Sequence, residues 1–198
     1  TKTVDFYDSE LQDSADYLFD IRTSIPAGLV LSSYKGRMIV GNTADDANLL
    51  LVSKFNEPEQ FDAADDLIII DPTEAGGITN AVEHHNLLVV MKSFRAYTVA
   101  DNGQEPNTWE PEPFDKAIGT EVHGVGTILD ATGATIDRFI MASRPGLILY
   151  TGTFMEPDLT FKVKNIWDRI NDSYFHTIEV ALDPLNKRIY IAIPLDLS

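Results

Sequence analysis

The sequence contains no cysteine. That excludes a disulfide framework, thiolate metal ligands and a thiol nucleophile, and it fits a reducing or an oxidising compartment alike. Cations are also scarce: 15 Lys and Arg stand against 31 Asp and Glu, a formal net charge of −16. Non-specific nucleic-acid binding is driven by cations that displace counterions from phosphate, and docking on an anionic membrane needs the same sign of charge. The composition argues against both. No apolar run approaches the ~20 residues of a membrane-spanning helix. The apolar runs are short, as at Leu49-Leu50-Leu51-Val52 and Leu67-Ile68-Ile69-Ile70. Stretches with helical periodicity are nearly absent. The chain opens on Thr1-Lys2-Thr3, without an initiator Met or a basic-then-apolar leader, and reads as a processed chain or the ordered piece of a longer one.

What the sequence does hold is a succession of short runs rich in β-branched and aromatic residues, as strands favour. They pair around breaks of two to four residues, which is hairpin length. The breaks are Tyr34-Lys35-Gly36-Arg37, His84-His85-Asn86, Ser143-Arg144-Pro145-Gly146 and Asp183-Pro184-Leu185-Asn186. Their centres lie near residues 35, 85, 145 and 185, on average about 50 apart, and a four-stranded propeller blade takes ~40–50 residues. With 198 residues and 44% hydrophobic content, the expected fold is all-β: a β-propeller or partial propeller of about four antiparallel blade units. Residues 1–24 read as an acidic arm or first partial blade, and 25–198 as the blades. In the last hairpin apolar residues cover both faces of the second strand, as in the inner part of a packed sheet. Acidic, Pro-rich connections, 56–66 and 101–114, read as extended surface loops, because proline fixes φ and removes a donor. One short helix is expected within 159–170, with Val163, Ile166, Trp167 and Ile170 on one face.

Several segments, in order, resemble a β-propeller of tailed-phage virion proteins of the tail nozzle or hub. Ile25-Pro26-Ala27-Gly28 followed by Lys35-Gly36-Arg37-Met38-Ile39-Val40-Gly41-Asn42 is similar to that family's opening. Leu50-Leu51-Val52-Ser53 with Asn56-Glu57-Pro58-Glu59-Gln60-Phe61 resembles its strand and following loop. Ile78-Thr79-Asn80-Ala81-Val82-Glu83 with Leu87-Leu88-Val89-Val90-Met91-Lys92, and Ser143-Arg144-Pro145-Gly146-Leu147-Ile148-Leu149-Tyr150, resemble two of its hairpins. Asn86-Leu87 and Arg144-Pro145 depart from its turns. The resemblance implies a structural tail protein with no reaction and no cofactor. Its implied partners are other copies of itself in a ring, neighbouring tail proteins, and double-stranded DNA that passes without specific binding, with no membrane anchor. An acidic wall would let a duplex slide, since it repels phosphate.

The residues supply little chemistry of their own. Zinc needs three or four converging ligands, whereas adjacent His84 and His85 face opposite ways in a strand or sit exposed in a turn. The acidic clusters Asp45-Asp46 and Asp62-Ala63-Ala64-Asp65-Asp66 lack the spacing of a calcium loop. No nucleophile elbow, His-Glu-x-x-His or phosphate loop is present. Glu83, Glu110, Glu121 and Glu179 keep a carbohydrate-binding or carbohydrate-active propeller open as the alternative, because a glycosidase uses paired carboxylates. The candidate interface residues are Trp109, Glu110 and Phe114, in the acidic Pro-rich connection. Trp109 either anchors a partner, Trp being enriched at interface cores, or folds onto its own blade. Lys162, Lys164 and Arg169, the only compact basic group, reads as a cap for an acidic neighbour.

Overall fold

The computed structural model describes residues 26–195, apart from 63, 115–117, 130–132, 134–135, 153–154, 157–158, 184–185 and 187. The proposed arm, 1–24, lies outside the described residues. The first sheet takes its strands in chain order: β1 (Gly28–Tyr34), β2 (Arg37–Thr43), β3 (Leu49–Val52) and β4 (Leu67–Ile69). The second holds β5 (Ile78–His84), β6 (Leu87–Lys92), β7 (Ala96–Ala100) and β8 (Pro111–Pro113). The third holds β9 (Gly126–Leu129), β10 (Ile136–Ser143), β11 (Gly146–Tyr150) and β12 (Met155–Glu156). A fourth, two-stranded sheet pairs β13 (Glu179–Asp183) with β14 (Arg188–Ala192). All pairings are antiparallel. The fold is therefore all-β, with one short α-helix, α1 (Lys164–Trp167), among the described residues.

Local chemistry explains the boundaries. At the first hairpin Lys35 and Gly36 both take positive φ, 46° and 74°, the backbone of a turn whose twist matches that of antiparallel strands. Pro111 and Pro113 were expected in a surface loop; they lie in β8 instead, opposite Val99 and Tyr97. An edge strand tolerates proline because its outward positions have no ladder partner to lose. Residues 53–66 are also less open than expected. Phe61 and Asp66 are buried there, and the Asp66 carboxylate takes the Lys54 ammonium at 3.1 Å and the Asp62 amide at 2.8 Å. α1 is only a single turn: it buries Trp167 but leaves Ile166 exposed.

The sheets stack one after another with an apolar layer at each junction. Val30, Tyr34, Ile39 and Leu50 meet Leu88, Val90 and Tyr97 between the first two sheets. Val89 and Met91 meet Phe139, Met141 and Tyr150 between the second and third. Ile140, Ala142 and Leu147 meet Trp167, Phe175 and Ile178 beneath the fourth, with Val180 and Ile191 packed against them. Alternate residues of β6 and of β10 thus enter two different layers, which is why those strands read as continuous apolar runs. Each fully buried Leu or Phe contributes about 1.5–3 kcal/mol. β14 differs from its expected double burial. It ends the row, and Tyr190 on its outer face is exposed. Neighbouring sheets meet along their inner strands: β1 lies beside β5, β5 beside β10, the second strand of its sheet, and β9 beside β13.

Candidate functional site

The three candidate interface residues part company. Trp109 is buried in the layer between the first two sheets. Its ring stands edge-on to Tyr34, with centroids 5.8 Å apart, and its Nε1–H donates to the Gln104 carbonyl at 3.0 Å. The Arg37 guanidinium lies 5.7 Å from its centroid. It is a core residue and offers no surface anchor. Phe114 is half-buried against the second layer and meets Tyr150 edge-on at 5.7 Å. Glu110 alone is exposed.

A buried polar cluster that sequence reasoning missed joins the first two sheets. Lys92 is fully buried. Its ammonium donates to Asn48 Oδ1 at 2.9 Å, the Asp71 carbonyl at 2.8 Å and the Glu74 carbonyl at 2.8 Å. All three protons are therefore used. Burial lowers its pKa, against the opposing pull of Glu74, Asp71 and Asp46. Beside it the Tyr97 hydroxyl lies 3.0 Å from Asp71 Oδ2 and 2.5 Å from Glu74 Oε2. Burial and those two carboxylates hold the phenol well above its ordinary pKa. The available signal was a lysine closing the apolar run 87–92, where a strand's interior continues into its last residue. The cluster ties β6 and β7 to the 71–77 connection and has the character of an internal clamp, since every donor of Lys92 is spent on structure.

A second clamp holds the segment that passes from the second sheet to the third. Asn80 donates to the Val122 carbonyl at 2.5 Å and accepts from the Gly124 amide at 2.7 Å. The Thr79 hydroxyl donates to the Thr120 carbonyl at 2.8 Å, and the Ser143 hydroxyl to that of Gly119 at 2.6 Å. Gly119 runs so close to the 92–95 turn that a Cβ there would strike the Lys92 carbonyl. At the next junction Arg144 forks onto Glu121 at 2.9 Å through both Nε and Nη2, and reaches Asp172 at 2.9 Å. Arg144 thus links the third sheet to the 172–177 segment.

A cavity of about 390 Å³ opens where the first strands converge, lined among others by Ser32, Ser33, Glu83, His85 and Thr127. Among the described residues Glu83 is its single lining carboxylate. Deeper, His84 is buried at the end of β5 and sets a ring nitrogen 2.8 Å from the Asp137 carbonyl. Exposed His85 has its centroid 4.1 Å from that of His84. Among the described residues no three His, Asp or Glu side chains gather closely enough to share a metal ion. Tyr150, buried beneath His84, donates its hydroxyl to the Gly152 carbonyl. Burial raises its pKa to about 12. A raised folded pKa means that the unfolded chain ionises first, so this contribution to stability is full below pH ~10 and lost as pH climbs through about 12. Spectrophotometric titration of the native protein is expected to show Tyr97 and Tyr150 ionising well above pH ~10. Ionisation of all seven tyrosines together near pH ~10, with the fold intact, would contradict this.

Two exposed apolar surfaces remain, at opposite ends of the row of sheets. On the outer face of the first sheet Leu29, Leu31 and Ile69 are exposed; Leu31 stands in one cross-strand row with buried Val40 and half-buried Leu51 and Leu67. At the far end Leu159, Phe161, Val163 and Ile166 are exposed, beside a groove of about 180 Å³ walled by Leu147, Trp167, Ile191 and Ile193.

The sequence matches no protein-family model, and no curated protein matches it either.

Proposed function

We propose that this chain is a sector of a β-propeller serving as a structural protein of a phage tail, in the nozzle or hub around the genome-ejection channel. Copies of it stand in a ring and contact neighbouring tail proteins. The observation that carries the reading is the serial stack. Sheets begin at residues 28, 78, 126 and 179, the three four-stranded sheets are meanders in chain order, and each sheet meets the next through its first or second strand. That arrangement supports reading the sheets as propeller blades. The ordered resemblance to the tail propellers, from about residue 25 to the end, suggests the biological setting.

Function in this reading is mechanical. The inter-sheet clamps keep the blades in register, and the excess of acid over base leaves passing DNA unheld. The carbohydrate reading draws less support. Among the described residues one carboxylate lines the cavity at the first strands, where a glycosidase needs two about 5–10 Å apart.

A paired binding assay tests the proposal. Duplex DNA is expected to pass unretained over the immobilised protein even near ~50 mM salt, where phosphate contacts are strongest. Oligosaccharides are expected to leave the melting temperature unchanged. Retention of duplex would remove the sliding wall, and a saturable rise in melting temperature with a sugar would turn the function to carbohydrate recognition.

A further inference from the structure

The two apolar ends of the row differ in the charge that surrounds them. The first sheet is apolar on both faces, the build of the second sheet, yet only its inner face is covered by another described sheet. Leu29 and Leu31 are 70% and 71% exposed. Scattered exposed leucines are ordinary, but these two share one face with exposed Ile69 and half-buried Leu51 and Leu67, and an apolar patch of that kind marks a contact surface. The β3–β4 connection at the edge of this sheet, 53–66, carries one cation and five carboxylates, of which Asp66 is buried on Lys54 and Asp65 is bonded to Asn107. At the other end Phe161 is 88% exposed, and 159–169 carries three cations, Lys162, Lys164 and Arg169, against one carboxylate. In a chain of charge −16, this is the place where an acidic rim meets attraction instead of repulsion.

We propose that the outer face of the first sheet docks on the Leu159–Ile166 surface of a second copy of this chain, head to tail, with the 53–66 carboxylates beside Lys162, Lys164 and Arg169. Pairing two first sheets like-on-like would set the two 53–66 connections near each other, acid against acid. Pairing the first sheet with the outer face of the fourth would press Glu179 and Arg188, both exposed there, onto leucines, and burying unpaired charge is costly. A head-to-tail contact uses two different patches, so it closes into a ring or runs on as a filament. The inference takes up the ring of the proposed function and names its contact.

Sedimentation velocity on the whole chain tests it with three samples: the native protein, Leu31→Lys and Phe161→Lys. Both substituted residues are solvent-facing, so circular dichroism and melting temperature are expected to match the native protein. The native chain is expected to form oligomers beyond the dimer as concentration rises. Each variant alone is expected to have a dissociation constant raised at least about tenfold. Mixed in equal amounts, the two variants keep one intact head and one intact tail between them, and are expected to form dimers that grow no further. A native chain that stays monomeric at every concentration overturns the proposal, because something else then covers the face, such as residues 1–25 or a foreign sheet. So does Phe161→Lys assembling like the native chain, which marks like-on-like pairing, and so does a mixture that stays monomeric. A ring built through another surface would leave the proposed function standing while this contact falls.

Discussion

Replacing Lys92 by methionine is expected to destabilise the protein by about 3–5 kcal/mol, the usual loss when one member of a buried charged cluster is removed. The shape of the side chain is nearly kept, so the effect comes from polarity. Asn48 Oδ1 and the carbonyls of Asp71 and Glu74 each lose a charged donor at 2.8–2.9 Å, and the site is closed to bulk water. For a chain of this size the melting temperature falls by roughly 10 °C. The damage is expected at the junction of the first two sheets, where the 71–77 connection is held. Arg138→Met is the control. Its guanidinium pairs with Asp137 at 2.6 Å, but both side chains are largely exposed, and such pairs are worth about 0–1 kcal/mol. Equal melting temperatures for the two variants would show that the internal clamp contributes nothing special.

Trp109→Ala is expected to cost about 3–5 kcal/mol, the range for emptying a buried tryptophan site. The ring fills the space between Tyr34 and Arg37, and its loss leaves the Gln104 carbonyl without its donor. Trp109→Phe retains part of the packing but not the hydrogen bond, and about 1–2 kcal/mol is expected for it. Chemical denaturation measures both. A docking role would reverse the pattern: monomer stability unchanged and assembly weakened.

The contrast between these residues shows what the sequence discloses. The tight turns at 34–37, 84–87 and 143–146 were legible because Gly, Asn and Pro punctuate apolar runs, and all three close antiparallel pairs. The turn spacing was a less exact guide than the sheets it stood for. The turn at 143–146 joins the second and third strands of its sheet, whereas those at 34–37 and 84–87 join the first and second. The longer 130–135 connection carries no tight-turn signature. Turn centres are therefore unevenly spaced, while the sheets begin at nearly equal intervals. The Pro-rich stretch misled because proline excludes a central strand but not an edge one. Trp109 misled for a related reason. Its neighbours are acidic and exposed, and composition cannot reveal that the chain turns one ring inward while Glu110 points out. The Lys92 clamp depends on three acceptors from separate parts of the chain, a coincidence that no local pattern encodes.

The account rests on sheets stacked about a common axis and completed by further copies. Electron-microscope images of the purified assembly test that most directly. Particles in which several copies surround an open central hole, with the first strands of each sheet facing inward, are the expected result. Compact particles without a hole, or single chains at concentrations where the native protein should assemble, would contradict it.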